Sequence, residues 1–396
     1  MLIGLVGKPS SGKSTFFKAA TLAEVEIASY PFTTIKPNHG VGYVRIDCID
    51  QEFGKQCNPR EGFCINHQRF VPVELMDVAG LVPGASEGKG LGNQFLDDLR
   101  QADAFIQIVD LSGKTNEEGK ASENSDIKKD IKFLEKELDL WFSNILRKVW
   151  KTFARTIETS HSNFAEQVAN QFSGLKIDED TVKQVMLKIS LNYEKPTSWT
   201  NKQIFEFARK LRQISKPMII AANKCDTEKA KENLNIIQTE FPDYPIIPCS
   251  AEAELALREA HKENLIEYLP GDENFKIKEI SKLNEKQKAA LDFVQKRVLN
   301  EYKSTGVQSI LNKIVFELLE YIAIFPAGVN KLEDSQGRVL PDCFLIPKGS
   351  TALDFAYKLH TDFGKNFARA TDVKTKKSIG KDHELKHRDA IEIHTN

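Results

Sequence analysis

At 396 residues, with 41% hydrophobic and 28% charged side chains, the chain has the composition of a folded, water-soluble protein and is long enough for two or three domains. Its 55 Lys and Arg against 56 Asp and Glu leave a net charge of −1, which excludes a global basic field: DNA is not an expected partner, and any RNA contact has to be local. No apolar stretch reaches the ~20 residues that span a bilayer, and Met1 runs straight into a strand, so no membrane or signal peptide is expected, the expected location is cytoplasmic, and the cysteines are expected to be reduced thiols.

The apolar run Met1 to Val6 leads into Gly7-Lys8-Pro9-Ser10-Ser11-Gly12-Lys13-Ser14, and then into helix-permissive residues Thr15 to Ala20. Strand, glycine loop and helix in that order are the setting of a phosphate-binding P-loop. Gly7 and Gly12 let the loop turn so that successive N–H groups face phosphate oxygens, and the helix starting near Lys13 adds its positive N-terminal dipole. Lys13 is expected to reach the β- and γ-phosphates and Ser14 to hold Mg²⁺. The expected nucleotide-binding set here is Gly7, Lys8, Pro9, Ser10, Ser11, Gly12, Lys13, Ser14 and Thr15.

The segment Ala28 to Asn38 carries two prolines and no regular period. In a P-loop GTPase such a segment brings a threonine to Mg²⁺ and the γ-phosphate. Thr34 is the expected residue and Thr33 the near alternative, against the plainer reading that both cap a turn. Val41 to Ile46 alternates as a strand does. Residues 47–69 then form an excursion that contains Cys48, Cys57, Cys64 and His67. This quartet admits zinc, but its spacings lack the paired C-x₂₋₄-C knuckle; a Cys57–Cys64 disulfide and a plain exposed hairpin are the other readings.

Phe70 to Asp77 reads as a strand ending in an acid, followed by Val78-Ala79-Gly80. Asp77 is expected to hold Mg²⁺ through water and the Gly80 N–H to meet the γ-phosphate. Leu81 stands where Ras-like enzymes carry the glutamine that orients water, so intrinsic hydrolysis is expected to be slow. Pro83 to Asn93 has four glycines within the nine residues from Gly84 to Gly92 and is expected to be a loop that orders on binding.

The strings GKPSSGKST, YPFTTIKPN and DVAGLVPGASEGKGLGNQFLDDLR resemble the Obg-like GTPases, in particular the TGS-bearing relatives of YchF. The resemblance implies a Ras-like, mostly parallel α/β sheet with an inserted helical domain and a C-terminal TGS domain. It also implies catalysis that uses a monovalent cation or a partner in place of glutamine. Several potassium-using relatives have asparagine where this chain has Ser10, so at that position the chain departs from the pattern that implies K⁺. Lys13, Thr34 and Gly80 are the expected catalytic residues, and Ser14, Thr34 and Asp77 the expected Mg²⁺ set.

Ala104 to Asp110 is a further buried strand, and Asp110 reads as a strand-end cap in preference to a metal contact. From Asp126 onward, Ile127, Ile131, Leu134, Leu138, Trp141, Ile145 and Val149 form the stripe of a long amphipathic helix. Shorter helices follow around residues 164–172, 182–189 and 204–214. Arg147, Lys148, Lys151 and Arg155 beside Trp141 and Trp150 read as a solvated helix face or, less simply, as an RNA-facing patch.

Pro217 to Ala222 resumes the apolar sheet and runs into Asn223-Lys224-Cys225-Asp226. The Asp226 carboxylate can accept both guanine N1–H and N2–H₂, Lys224 can lay its stem along the base, and Asn223 can tie this loop to the P-loop. Adenine offers no matching pair of donors, so guanine is the expected base. YchF itself departs from NKxD and tolerates ATP, whereas this chain keeps the motif. The backbone of Ser250, Ala251 and Glu252 is expected to add a second base contact after a strand at residues 244–249. A small-molecule kinase shares the P-loop but has no use for NKCD.

Residues 277–324 read as helical and the chain becomes β-rich from about Phe325. The string KGSTALDFAYKLHTDFG resembles a TGS domain, a β-grasp module, and implies the ribosome or an associated RNA as partner. Lys365, Arg369, Lys374, Lys376, Lys377 and Lys381 are candidate phosphate contacts, and His360 reads as structural. The expected organisation is a G domain over 1–115 and 215–275, a helical insertion over 116–214, a helical connector over 276–324 and TGS over 325–396. GTP or GDP with Mg²⁺ is the expected ligand and slow GTP hydrolysis the expected activity, with a nucleotide-gated module of negligible turnover as the alternative.

Overall fold

The structure, a computed structural model, describes residues 1–21, 39–78, 100–116, 119–122 and 125–396. Thr33, Thr34, Gly80, Leu81 and the glycine-rich stretch to Asn93 lie outside the described residues. Two compact units divide the chain, one composed chiefly of Met1–Ala19 and Glu74–Ile310, the other of Val41–Val73 and Leu311–Asn396. The strands that set up both are β1 (Leu2–Val6), β2 (His39–Asp47), β3 (Phe63–Ile65), β4 (Gln68–Asp77), β5 (Ala104–Asp110), β6 (Met218–Asn223) and β7 (Ile246–Pro248).

In the first unit β1 pairs in parallel with the end of β4, from Leu2 against Glu74 to Leu5 against Asp77, and on its other side with β5. β5 pairs in parallel with β6, and β6 with β7. β1, β5 and β6 are buried along their whole lengths, which is why they read as nearly continuous apolar runs, broken by Gln107 within β5 and ended by Asp110 and Asn223: both faces of a parallel sheet are covered. The parallel order places the C-terminal ends of β1, β4, β5 and β6 along one edge. There the glycine loop leads into α1 (Lys13–Thr21).

Among the described residues, four α-helices stand between β5 and β6 in the sequence: α2 (Ile127–Ser160), α3 (Phe164–Gln171), α4 (Glu179–Lys188) and α5 (Asn201–Ser215). Each start is capped by a short polar side chain, Asp126, Asn163, Asp178 and Thr200, that accepts a first-turn N–H. Their shared core is aromatic: Trp199 lies 5.0 Å from Trp150 and 5.4 Å from Phe207, ring centre to ring centre. Arg212, 1% exposed, is neutralised by Asp139 at 2.7 Å. Trp141 and Trp150 belong to this core while Arg147, Lys148, Lys151 and Arg155 are exposed, so the basic face has no exposed tryptophan beside it. The first unit continues through α6 (Ala230–Glu240), α7 (Ala251–Lys262), the two-residue ladder of β8 (Ile266–Glu267) and β9 (Lys276–Ile277), and α8 (Glu285–Val294), which runs on into a π turn.

The second unit holds α9 (Val307–Lys313) from Leu311 onward and a five-stranded sheet of β10 (Tyr321–Pro326), β11 (Phe344–Pro347), β12 (Phe367–Asp372), β13 (Lys377–Ile379) and β14 (Ala390–Thr395) in the order β11-β10-β14-β12-β13. β10 and β14 are parallel and the other pairs antiparallel. With α10 (Ala352–Leu359) and α11 (Thr361–Lys365) this is a β-grasp sheet. Its first strand opens at Tyr321, four residues before the expected change of character, because Glu320 takes a left-handed φ of 50° that stops the helical path. The apolar residues of helix and strand abut there, so periodicity alone does not separate them. His360 caps α11 by accepting the Asp362 N–H at 3.1 Å, a structural role. β3 and β4 form a hairpin with Ile65 opposite Gln68; its turn residues Asn66 and His67 both have positive φ, 50° and 60°, as a two-residue type I′ turn requires.

Candidate nucleotide site

The loop after β1 is shaped by positive φ at Ser10 (63°) and Gly12 (92°). A Cβ at Gly12 would strike the Asn223 side chain, and one at Gly7 would sit 2.7 Å from the Ile108 carbonyl. Both glycines are therefore needed for close backbone approach. Helix α1 begins as the Phe16 N–H reaches the Gly12 carbonyl at 2.9 Å.

Three of the expected residues converge at the mouth of this loop. Lys13 Nζ lies 2.6 Å from Asp77 Oδ1, and Ser14 Oγ donates to Asp77 Oδ2 at 3.2 Å. Asp77 ends β4, and its register against Leu5 sets it beside the loop. A hydroxyl and a carboxylate at this spacing are hard oxygen donors of the kind Mg²⁺ takes, so the residues present fit that ion.

Asn223, at the end of β6 and 3% exposed, joins three loops through one amide. Its Nδ2 donates to the Ser11 carbonyl at 3.0 Å, and its Oδ1 accepts the Ala251 N–H at 3.0 Å. Ser250 caps α7 by accepting the Ala253 N–H at 3.3 Å, with Ala251 buried and Glu252 exposed in the first turn. Lys224 has a left-handed φ of 62° and turns its side chain towards the P-loop: Nζ lies 3.1 Å from the Ser10 carbonyl and 2.8 Å from Asp110 Oδ2. Asp226 is half-buried two residues on. Cys225 and Cys249 are buried, and burial pushes both thiols up, so they act as small packing groups.

Two further contacts complete the constellation. Asp110 caps its own turn, accepting from Ser112 N at 2.9 Å and Ser112 Oγ at 2.6 Å, and it is also the ion partner of Lys224. Burial alone would raise its carboxyl, but Lys224 and Ser112 hold it below the usual carboxylate range. Lys8 carries its ammonium to Asp130 in the first turn of α2, at 2.7 Å with both side chains buried, and donates to the Thr115 carbonyl at 2.7 Å. Pro9 and Thr15 are half-buried in and just after the loop. Sequence reading named neither partnership. Asp110 sits at a strand end, where a cap explains it equally well, and the one signal at Asp130 is an acid lodged against Ile131 on an apolar stripe.

In the second unit Lys374 is engaged by Glu52 at 2.8 Å, while Lys365, Arg369, Lys376, Lys377 and Lys381 are exposed. Among the described residues no helix is long and apolar enough to cross a membrane.

A parallel sheet whose first strand feeds a glycine loop, with an acid at the end of β4 and NKCD at the end of β6, defines a P-loop nucleotide-binding fold of the G-protein kind. Three family descriptions match successive parts of the chain: 50S ribosome-binding GTPase over residues 2–143, Obg-like GTPase YGR210-like, G4 motif-containing domain over residues 221–328, and TGS domain over residues 335–395. An uncharacterized GTP-binding protein of Methanocaldococcus jannaschii is 50% identical over 393 residues, 99% of this chain and 98% of that protein. The crystal structure of a GTP binding protein from Pyrococcus horikoshii OT3 is similar over 100% of both chains, with 38% identity and a TM-score of 0.80. The ribosome-binding ATPase YchF of Buchnera aphidicola is more distant, 29% identical over 378 residues, 94% of this chain and 88% of that protein. The chain belongs to the Obg-like GTPase family.

Replacing Asn223 with Ala leaves the buried Ser11 carbonyl and Ala251 N–H unpaired. The expected cost is about 2 kcal/mol, read as earlier unfolding in urea, together with at least a tenfold loss of GDP affinity by calorimetry. An Asn223→Ala variant that binds GDP as the parent does would show that this amide does not organise the site.

Proposed function

We propose that the chain binds GTP with Mg²⁺, hydrolyses it slowly to GDP and phosphate, and acts as a nucleotide-dependent switch on the ribosome or an associated RNA. The observation that carries this reading is the convergence of Lys13, Ser14 and Asp77 beside a loop that Asn223 ties to NKCD. In this reading the backbone N–H groups between Gly7 and Thr15, all but the one Pro9 lacks, cradle the phosphates, and Lys13 exchanges its contact with Asp77 for the β- and γ-oxygens. Ser14, Asp77 and Thr34 hold Mg²⁺, which when bound offsets the charge of the phosphate oxygens. The Gly80 N–H reads the γ-phosphate.

Asp226 accepts from guanine N1–H and N2–H₂, Lys224 flanks the base from its anchor on Asp110 and Ser10, and the backbone at Ser250 to Glu252 closes the other side. Leu81 offers water neither a donor nor an acceptor, which supports slow turnover and also favours the second reading, a nucleotide-gated module with negligible hydrolysis. The ribosome enters through the family, in which YchF is named a ribosome-binding ATPase, and through the TGS module.

Asp226→Asn exchanges an acceptor pair for one donor and one acceptor, which suits a xanthine in place of a guanine. Affinity for GDP should fall about 100-fold and that for xanthosine diphosphate rise; competition against labelled GDP reads both, and an unchanged preference would remove Asp226 from the base site. For the partner, the full chain is sedimented with ribosomes in GDP, in a non-hydrolysable GTP analogue and without nucleotide. Pelleting that depends on the analogue is expected, and equal or no pelleting in all three contradicts a ribosome-linked switch.

A further inference from the structure

The excursion between β2 and β4, all of it in the second unit, gathers side chains that the nucleotide site does not use. Cys48 follows the end of β2 and opens a 3₁₀ turn, Ile49–Phe53, that Gly54 closes with a φ of 61°. Cys64 lies in β3, opposite Arg69 of β4. The tight turn at Asn66 and His67 folds this hairpin back so that the Cys48 N–H donates to the His67 carbonyl at 2.7 Å. These local devices bring together four atoms from residues spread over the excursion: the sulfurs of Cys48, Cys57 and Cys64 and a carboxylate oxygen of Asp50 all lie within 4.8 Å of one another.

The spacing is that of a coordination polyhedron. Cys48 Sγ and Cys57 Sγ are 3.5 Å apart, and Cys64 Sγ is 3.9 Å from Asp50 Oδ2. A tetrahedral zinc ion with sulfur arms of about 2.3 Å has ligand-to-ligand edges of about 3.8 Å. We propose that Cys48, Asp50, Cys57 and Cys64 bind one zinc ion in a closed, structural site.

The surroundings fit a buried metal better than a set of neutral thiols. Cys48, Asp50 and Cys57 are buried, so four protein ligands leave no open position for chemistry. His67, the residue that spacing nominates as a ligand, instead stands one step out. Its Nδ1 lies 2.9 Å from Asp50 Oδ1, where it orients the carboxylate as outer partners of metal ligands do. The Cys57 N–H steadies Asp50 Oδ2 at 2.8 Å. Arg69 is 1% exposed, and its hydrogen bonds go to the Leu340 and Pro341 carbonyls and, at 3.6 Å, to Cys57 Sγ. A metal-held thiolate supplies the anion that this desolvated guanidinium needs. A Cys48–Cys57 disulfide would leave Arg69 without that charge and Cys64 without a role. Three sulfurs and one carboxylate select zinc over harder ions.

The site has a task in its own unit. The N–H groups of Asn58 and Arg60, just after Cys57, donate to the Val339 and Pro341 carbonyls at 2.8 and 2.9 Å, and Arg69 holds the same strap from the other strand. Zinc therefore sets the shape of the excursion that holds the segment leading into β11 of the TGS sheet.

The test uses the full chain, purified without chelator or metal-affinity step. Mass spectrometry after gel filtration should find about one zinc per chain, and Cys57→Ser and Cys64→Ser should each retain less than about a tenth of it. Because either variant can fail to fold, the parent protein is also examined by X-ray absorption, where three sulfur neighbours and one oxygen are expected. Titration in denaturant with chelator but no reductant should then count all six thiols. A chain that neither carries zinc nor takes it up under reducing conditions, one that holds iron instead, or one in which two of the six thiols are missing as a disulfide overturns the proposal.

Discussion

The carboxamide of Asn223 is buried among three loops that follow three different strands, and it gives the P-loop carbonyl of Ser11 a donor and the Ala251 N–H an acceptor. It works beside the Lys224 Nζ contact with the Ser10 carbonyl and the Cys225 N–H bond to the Cys249 carbonyl, and it alone of the three reaches both the P-loop and the first turn of α7. The cost of leaving its partners unpaired in a buried setting fixes their spacing more strictly than packing alone would. The Asp226 carboxylate, the Lys224 stem and the backbone N–H groups of the P-loop take their relative positions from this side chain together with those contacts. Gly12 is glycine because Asn223 has to come that close.

Around this joint two ion pairs extend the frame. Lys224 with Asp110 ties NKCD to the end of β5, and Lys8 with Asp130 ties the P-loop to the first turn of the helical insertion. Ion pairs on a buried carboxylate contribute little net stability, but they tolerate few alternative geometries. The insertion thus touches the phosphate loop through a charge that cannot be moved without desolvation cost, which gives a physical route from loop to insertion within the first unit.

What was legible in the sequence was what is local. The P-loop, NKCD and the end of β4 are short strings whose backbone setting can be read from the residues beside them, and β1, β5 and β6 are mostly apolar because the parallel sheet buries both faces. The stripe from Ile127 announced the long helix to within a residue of its start. What was not legible depends on residues far apart in the chain: Lys8 meets Asp130 and Lys224 meets Asp110 across intervals of more than a hundred residues, and no period links them. In the excursion the spacing suggested His67 beside the cysteines, whereas the left-handed turn carries its ring to Asp50 and leaves Asp50 among the sulfurs. The opening of β10 was hidden because Leu318, Leu319, Tyr321 and Ile322 satisfy a helix and a strand equally, and only the backbone at Glu320 decides between them.

That this constellation selects guanine is tested most directly by calorimetric titration of the full chain, in Mg²⁺, with GDP, a non-hydrolysable GTP analogue, ADP and an ATP analogue. The guanine nucleotides should bind at least about 100-fold more tightly than their adenine counterparts, because adenine leaves the Asp226 carboxylate without its donors. Equal affinity for the two bases would contradict the account, and would mean that the loop Asn223 holds in place recognises phosphate alone.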